Sequence, residues 1–139
     1  MVTETVIPGD GYCIINSIIH CMRQQKMKVI PSRDGLLQML EYEILKHIEY
    51  YKDFVHVEDD FVGQLERYIK KASYGSDIVD LILYSAGNCL GLKINLYQLY
   101  ENHYTLFNLQ SVVPQRSQVL GEIDIVKRRD HLNSILIKG

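Results

Sequence analysis

The first residues that could carry chemistry are Cys13 and the loop before it. The segment "PGDGYCIINSIIHCM" (8–22) places a proline, two glycines and an aspartate directly before the cysteine. A thiol is a poor nucleophile until it is deprotonated, and a helix N-terminus with a neighbouring imidazolium lowers its pKa from about 8.5 toward about 3.5–7.5. Gly9 and Gly11 allow backbone angles that turn loop amides toward a developing oxyanion. The predicted oxyanion loop comprises Gly9, Asp10, Gly11, Tyr12 and Cys13.

Helical elements are predicted to position this cysteine. Apolar residues recur at helical spacing after it, which predicts a helix from Cys13 to Gln24 with one buried face. Ser32 is expected to cap a second helix. Asp59 or Asp60 is expected to cap a third, and a fourth is expected to follow Ser76 and to end at Gly91. The apolar stripe of the second helix comprises Leu36, Leu37, Leu40, Ile44, Leu45 and Ile48.

The rest of the chain is typical of β-structure. The runs "LKINLYQLY" (92–100) and "YTLFNL" (104–109) alternate and are joined by "ENH", which predicts a hairpin. We interpret "SVVPQRSQVLG" (111–121) as a loop. Further strands are expected at "EIDIVKR" and "HLNSILI", with an edge strand at "TVI" near the start. Helices followed by strands predict one α+β domain over 1–139, in which the cysteine helix packs on a small, mostly C-terminal sheet.

The composition excludes several other classes of protein. The chain has 139 residues, of which 47% are hydrophobic and 23% charged, and its net charge of -2 gives no basic excess for nucleic acid. No apolar run approaches the about 18–20 residues of a membrane span, and no signal peptide is expected. The three cysteines are widely spaced, so neither a disulfide framework nor a metal site is expected. We expect a cofactor-free monomer in a reducing compartment: the cytoplasm, or the host cytoplasm if the protein is viral or from an intracellular pathogen.

Two motifs resemble the ovarian tumour (OTU) family of cysteine proteases. "GDGYC" at 9–13 is similar to the Gly-Asp-Gly-x-Cys loop of the family, and "DHLNSI" at 130–135 to its His-x-Asn or His-x-Asp on a late strand. The segment 72–99 is similar to the loop, helix and central strand of the family. The resemblance covers nearly the whole chain. It implies a papain-like fold and a deubiquitinase that hydrolyses the isopeptide bond after the C-terminal glycine of ubiquitin or a ubiquitin-like modifier.

The resemblance also implies the roles of the other site residues. His131 is implied to be the general base for Cys13. Residues i and i+2 of a strand share a face, so the side-chain carbonyl of Asn133 can accept a bond from His131 and fix the ring. Asp10 is the alternative third member of the triad. We rank Asn133 ahead, because Asp10 is better placed to hold the cysteine loop by accepting backbone bonds.

Substrate contacts are implied at the middle loop and beside the histidine, at Tyr74, Gly75, Ser76 and Leu132. The chain departs from the family pattern at Tyr12, at "IIN" after the cysteine, and in the middle loop, where tyrosine replaces tryptophan. These departures leave open how a substrate tail is gripped. The remaining cysteines and histidines are interpreted as core, packing or surface residues: Cys21, Cys89, His20, His47, His56 and His103.

Two alternatives remain open from the sequence. Compact OTU-like domains also occur as processing proteases of viral or mobile-element polyproteins, which use the same thiol chemistry. The other alternative is a catalytically inactive ubiquitin-binding module. The joint presence of Cys13, His131 and Asn133 counts against the inactive module.

Overall fold

The structure of the chain is a computed structural model. It describes residues 2–7, 11–54, 61–71, 76–99, 106–115, 118–128 and 131–137. Helices occupy the first two thirds of this part of the chain, and most strands occupy the last third. The order of elements is therefore the one predicted from the sequence.

The helices of the described residues follow the predicted apolar periodicity, with one break. They are α1 (Cys13–Gln24), α2 (Arg33–Lys46), α3 (Ile48–Tyr51), α4 (Phe61–Lys71) and α5 (Ser76–Leu90). The bounds of α1 are as predicted. The side chain of Ser32 caps α2 by accepting a hydrogen bond from the amide of Gly35 at 3.0 Å. The helix α5 ends before Gly91, whose φ of +66° suits a glycine. The predicted caps Asp59 and Asp60 lie outside the described residues.

The expected stripe from Leu36 to Ile48 is wrong at its C-terminal end. The helix α2 ends at Lys46, and the side chain of Leu45 is 40% exposed. A turn at His47 starts the short α3 and directs Tyr51 into the core, where its hydroxyl donates to a Glu43 carboxylate oxygen at 2.6 Å. A buried tyrosine hydroxyl needs such a partner, and a continuous helix would place this side chain elsewhere.

The described strands form a single mixed sheet. They are β1 (Val2–Thr5), β2 (Leu92–Leu99), β3 (Leu106–Val112), β4 (Gly121–Arg128) and β5 (His131–Ile137). Their spatial order is β1-β5-β4-β2-β3, with β2 and β4 parallel and the other pairs antiparallel. The predicted hairpin residues 101–103 lie outside the described part of the chain, but β2 and β3 pair as a hairpin would.

Two strand predictions need correction. The strand β3 continues through Ser111 and Val112, which were assigned to a loop, because these residues pair with Asn95 and Ile94 of β2. The Ser111 hydroxyl also donates to the side-chain carbonyl of Asn95 at 2.8 Å. The N-terminal edge strand exists, but it is Val2–Thr5 instead of residues 5–7. Both errors concern pairing with distant strands, which local propensity does not encode.

The hydrophobic core lies between the helices and one face of the sheet. The cysteine helix α1 packs on β5 and β4, and α5 packs on β2. Ile14, Ile15 and Ile18 of α1 are at most 1% exposed, as are Ile123 and Ile125 of β4. Each such side chain contributes about 1.5–3 kcal/mol on burial. This packing fixes α1 rigidly on the strand that begins with His131. Among the described helices, none combines the length and apolar character needed to cross a bilayer.

Candidate active site

The N-terminus of α1 presents backbone amides without intrahelical acceptors beside Cys13. Gly11 has a φ of +86°, a backbone angle that favours glycine, and Tyr12 follows as the N-cap without a capping side-chain bond. The first backbone bond of this turn runs from the Asn16 amide to the Tyr12 carbonyl at 2.9 Å. The amides of residues 13–15 therefore lack intrahelical acceptors. These amides and the helix dipole stabilise negative charge at the N-terminus of α1, where the Cys13 side chain is buried.

Tyr12 anchors the cysteine loop to two other helices. Its hydroxyl donates to the Ile69 carbonyl at 2.9 Å, in the last turn of α4, where carbonyls lack intrahelical partners. Its ring meets the Tyr68 ring edge to face at 5.8 Å, and the Arg33 guanidinium lies 5.2 Å from its centroid. Tyr12 departs from the family pattern, and its contacts with α4 and α2 hold the backbone directly before Cys13 in place.

The helix α1 runs alongside β5 in the same direction. The Ser17 hydroxyl donates to the Leu132 carbonyl at 3.1 Å, and the Ser134 hydroxyl lies 2.6 Å from Nδ1 of His20. Cys13 lies about 6 Å before Ser17 along the helix. The half-buried His131 lies about 3.3 Å before Leu132 along the strand. The candidate nucleophile and base are therefore at the same end of two adjacent elements.

Asn133 makes two hydrogen bonds that the sequence did not predict. Its side-chain oxygen accepts from the backbone N–H of Ile7 at 2.9 Å, and its nitrogen donates to a Glu4 carboxylate oxygen at 2.6 Å. Strand alternation places Asn133 and His131 on the same face, as expected. The side-chain oxygen keeps a second lone pair. The predicted bond from His131 to this oxygen stays a prediction.

The other predicted site residues differ in where they lie. Ser76 is the first residue of α5, and only its backbone is described. The side chain of Leu132 is 5% exposed and belongs to the hydrophobic core. The expectation that Leu132 contacts substrate stays a prediction. The remaining predicted residues lie outside the described part of the chain: Gly9, Asp10, Tyr74 and Gly75.

The residues missed by sequence reasoning act through long-range contacts. Glu4, Ile7 and Ser17 hold the candidate site from β1, the segment after it, and the middle of α1. Alternation in "VTET" could have assigned Glu4 to one face of a strand, but no local signal indicates that this strand pairs with β5. No group of three or more His, Cys, Asp or Glu side chains within the described residues is arranged to hold a metal ion.

The other two thiols lie in environments that oppose ionisation. Burial raises the pKa of Cys21 to about 12, and Asp124 adds to the shift by its charge. Burial, with a smaller effect from the Glu43 carboxylate, raises the pKa of Cys89 to about 12. Both cysteines are free, and both pack in or against the core, as the sequence predicted.

We therefore expect alkylating reagents to leave Cys21 and Cys89 unmodified in the folded protein. At pH 8 a thiol of pKa 12 is ionised in only about one molecule in ten thousand, and only the thiolate reacts. Iodoacetamide treatment followed by peptide mass mapping measures this. In guanidinium chloride both cysteines should react readily, which serves as the control. Rapid native alkylation of either one would contradict the assigned environments.

Comparison with known proteins identifies the fold. No family model and no curated protein sequence matches the chain. The OTU domain of OTUD1 superposes with a TM-score of 0.74 at 14% identity, over 98% of this chain and 86% of that one. The viral OTU protease of Taggert virus superposes with a TM-score of 0.70 at 17% identity, over 99% of this chain and 81% of that one. An OTU deubiquitinase from Wolbachia pipientis wMel, bound to ubiquitin, superposes with a TM-score of 0.63 at 14% identity, over 97% of this chain and 95% of that one. The chain thus has the papain-like α+β fold of OTU domains, as the resemblance implied.

Proposed function

We propose that this protein is a cysteine-dependent deubiquitinase. It hydrolyses the isopeptide bond after the C-terminal glycine of ubiquitin or of a ubiquitin-like modifier. The observation that carries the proposal is the alignment of α1 along β5, with Cys13 and His131 at the same end of both elements. A further support is the fold that the chain shares with a Wolbachia deubiquitinase whose structure contains ubiquitin.

The first half of the reaction is acyl transfer to sulfur. His131 takes the Cys13 proton, and the thiolate attacks the carbonyl carbon of the terminal glycine. The amides at the start of α1, which lack intrahelical acceptors, stabilise the oxyanion that forms, and in other hydrolases each such donor contributes about 2.7–4 kcal/mol. The tetrahedral intermediate then collapses. The carbon–nitrogen bond breaks, the protonated His131 gives its proton to the lysine amine, and a thioester remains on Cys13.

The second half releases the modifier. His131, now neutral, takes a proton from a water molecule that attacks the thioester carbonyl. The carbon–sulfur bond breaks, and Cys13 returns as the thiolate beside the imidazolium. Ubiquitin leaves with a C-terminal carboxylic acid, which gives its proton to solvent and becomes the carboxylate. Every step uses groups of this chain and water, so the proposed reaction requires no cofactor. A free thiol is essential, and we therefore propose that the protein acts in a reducing compartment.

The proposal is tested by incubating the protein with diubiquitins of each linkage and with fusions of ubiquitin-like proteins. Cleavage at the terminal glycine of at least one substrate is expected, and the Cys13→Ala variant supplies the control. Stable binding of ubiquitin without hydrolysis by the wild-type protein would instead favour the inactive binding module. The absence of both binding and hydrolysis by the folded protein would contradict the proposal.

A further inference from the structure

The side-chain amide of Asn133 can adopt only one orientation between its two partners. The asparagine is 3% exposed, on the face of β5 that it shares with His131. The backbone N–H of Ile7 is only a donor, so the amide oxygen must face it. An ionised Glu4 carboxylate is only an acceptor, so the amide nitrogen must face Glu4.

This amide joins the two halves of the candidate site. Asn133 lies two residues after His131 on the same strand. Ile7, itself buried, begins the segment that leads to Gly11 and Cys13. A single side chain therefore ties the strand of the candidate base to the chain segment that carries the nucleophile. Hydrogen bonds to an ionised carboxylate are roughly twice as strong as bonds to a neutral acceptor.

We propose that Glu4 is a positioning residue that acts through Asn133, an inference that rests on the proposed function. Its carboxylate fixes the direction of the amide and thereby the spacing between the Cys13 loop and His131. Glu4 also explains why position 133 is an asparagine, although the family motif allows either asparagine or aspartate there. Position 133 must donate to Glu4, and two carboxylates at 2.6 Å could not both be ionised. In this chain Glu4 therefore selects asparagine over aspartate.

The test exchanges the charge between the two positions. The variants are Glu4→Ala, Glu4→Gln, Asn133→Asp and the double variant Glu4→Gln/Asn133→Asp. In the double variant the glutamine nitrogen can donate to the new aspartate, which still accepts from Ile7. Thr3→Ala is the matched control. Thr3 is an exposed neighbour on the opposite face of β1, so its loss weakens the edge strand without touching Asn133.

Three quantities are measured for each variant. They are kcat and KM for a cleavable ubiquitin substrate, the rate of Cys13 alkylation by iodoacetamide, and the thermal midpoint. Glu4→Ala should lower kcat about ten-fold with little change in KM, whereas Glu4→Gln should stay within about three-fold of wild type. Asn133→Asp should lose about a hundred-fold, and the double variant should recover at least about ten-fold of that loss. Alkylation of Cys13 should slow in the same order.

Two results would overturn the proposal. The first is a Glu4→Ala variant whose kcat and alkylation rate match those of Thr3→Ala, since Glu4 would then matter only for strand stability. The second is a double variant no more active than Asn133→Asp. If Asn133→Asp does not fold, the comparison of Glu4→Ala with Glu4→Gln decides. If the wild-type protein cleaves no ubiquitin substrate, the proposed function fails, and the order of the alkylation rates still supports or overturns the positioning role.

Discussion

Replacing Cys13 with alanine is expected to abolish hydrolysis of every ubiquitin substrate. The mechanism places the covalent bond to the substrate on this sulfur, and neither other thiol can replace it. Cys21 and Cys89 are held by burial at pKa values of about 12. Loss of a nucleophile that works as a unit with its base costs about 10⁵-fold or more in kcat in comparable hydrolases. The measurement is the rate of diubiquitin cleavage under saturating substrate.

The fold of the Cys13→Ala variant should be preserved. The side chain is small and lies at a helix start, so the substitution removes one sulfur atom and leaves the isoleucines of α1 in place. Cys89→Ala provides the matched control, because it removes a thiol that is only partly buried and far from α1 in the sequence. That control should retain wild-type activity. Residual activity of Cys13→Ala within about a hundred-fold of wild type would show that the reaction uses another nucleophile.

Replacing His131 with glutamine is expected to lower kcat by about 10³-fold or more. Glutamine is of similar size and can still hydrogen-bond, but it cannot take a proton from Cys13 or return one to the leaving amine. Binding of ubiquitin itself should change little, since no bond to the modifier depends on that proton. Steady-state kinetics should therefore show a loss confined to kcat, while equilibrium binding of a non-cleavable conjugate stays near that of wild type.

The matched control for this prediction is His47→Gln. His47 lies at the turn between α2 and α3, where its Nε2 is 3.8 Å from a Glu43 carboxylate oxygen. The His47→Gln variant makes the same chemical change at a half-buried position that is remote from α1 and β5 along the sequence. We expect this variant to keep its activity. Equal losses in both variants would show that the His131 effect reflects weakened folding instead of lost proton transfer.

Local sequence patterns predicted the elements whose periodicity is strong. The isoleucines of α1 set its bounds, and Ser32 set the start of α2 by a capping bond within three residues. The errors arose where a distant partner decides. Tyr51 reaches Glu43 only because the helix breaks at His47, and Ser111 joins β3 because it pairs with Asn95. A residue's own propensity carries no record of such partners.

The candidate site likewise contains residues that could be recognised from the sequence and contacts that could not. The loop of Cys13 and the role of His131 were recognisable because their motifs resemble those of the OTU family, and the strand that begins at His131 was recognisable because its residues favour β-structure. The contacts that support these residues were not recognisable from the sequence. Tyr12 bonds to a carbonyl 57 residues away, and Asn133 bonds to Glu4 across 129 residues. The fold brings these groups together, so their roles become apparent only once strand order and helix packing are known.

The central claim is that Cys13 is the nucleophile of a ubiquitin hydrolase, and a ubiquitin probe with a C-terminal electrophile tests it most directly. The wild-type protein is incubated with the probe, and the adduct is located by intact and peptide mass spectrometry. We predict a single covalent adduct on the sulfur of Cys13. An adduct on Cys21 or Cys89, or no adduct on a folded protein whose Cys13 is reduced, would contradict the account.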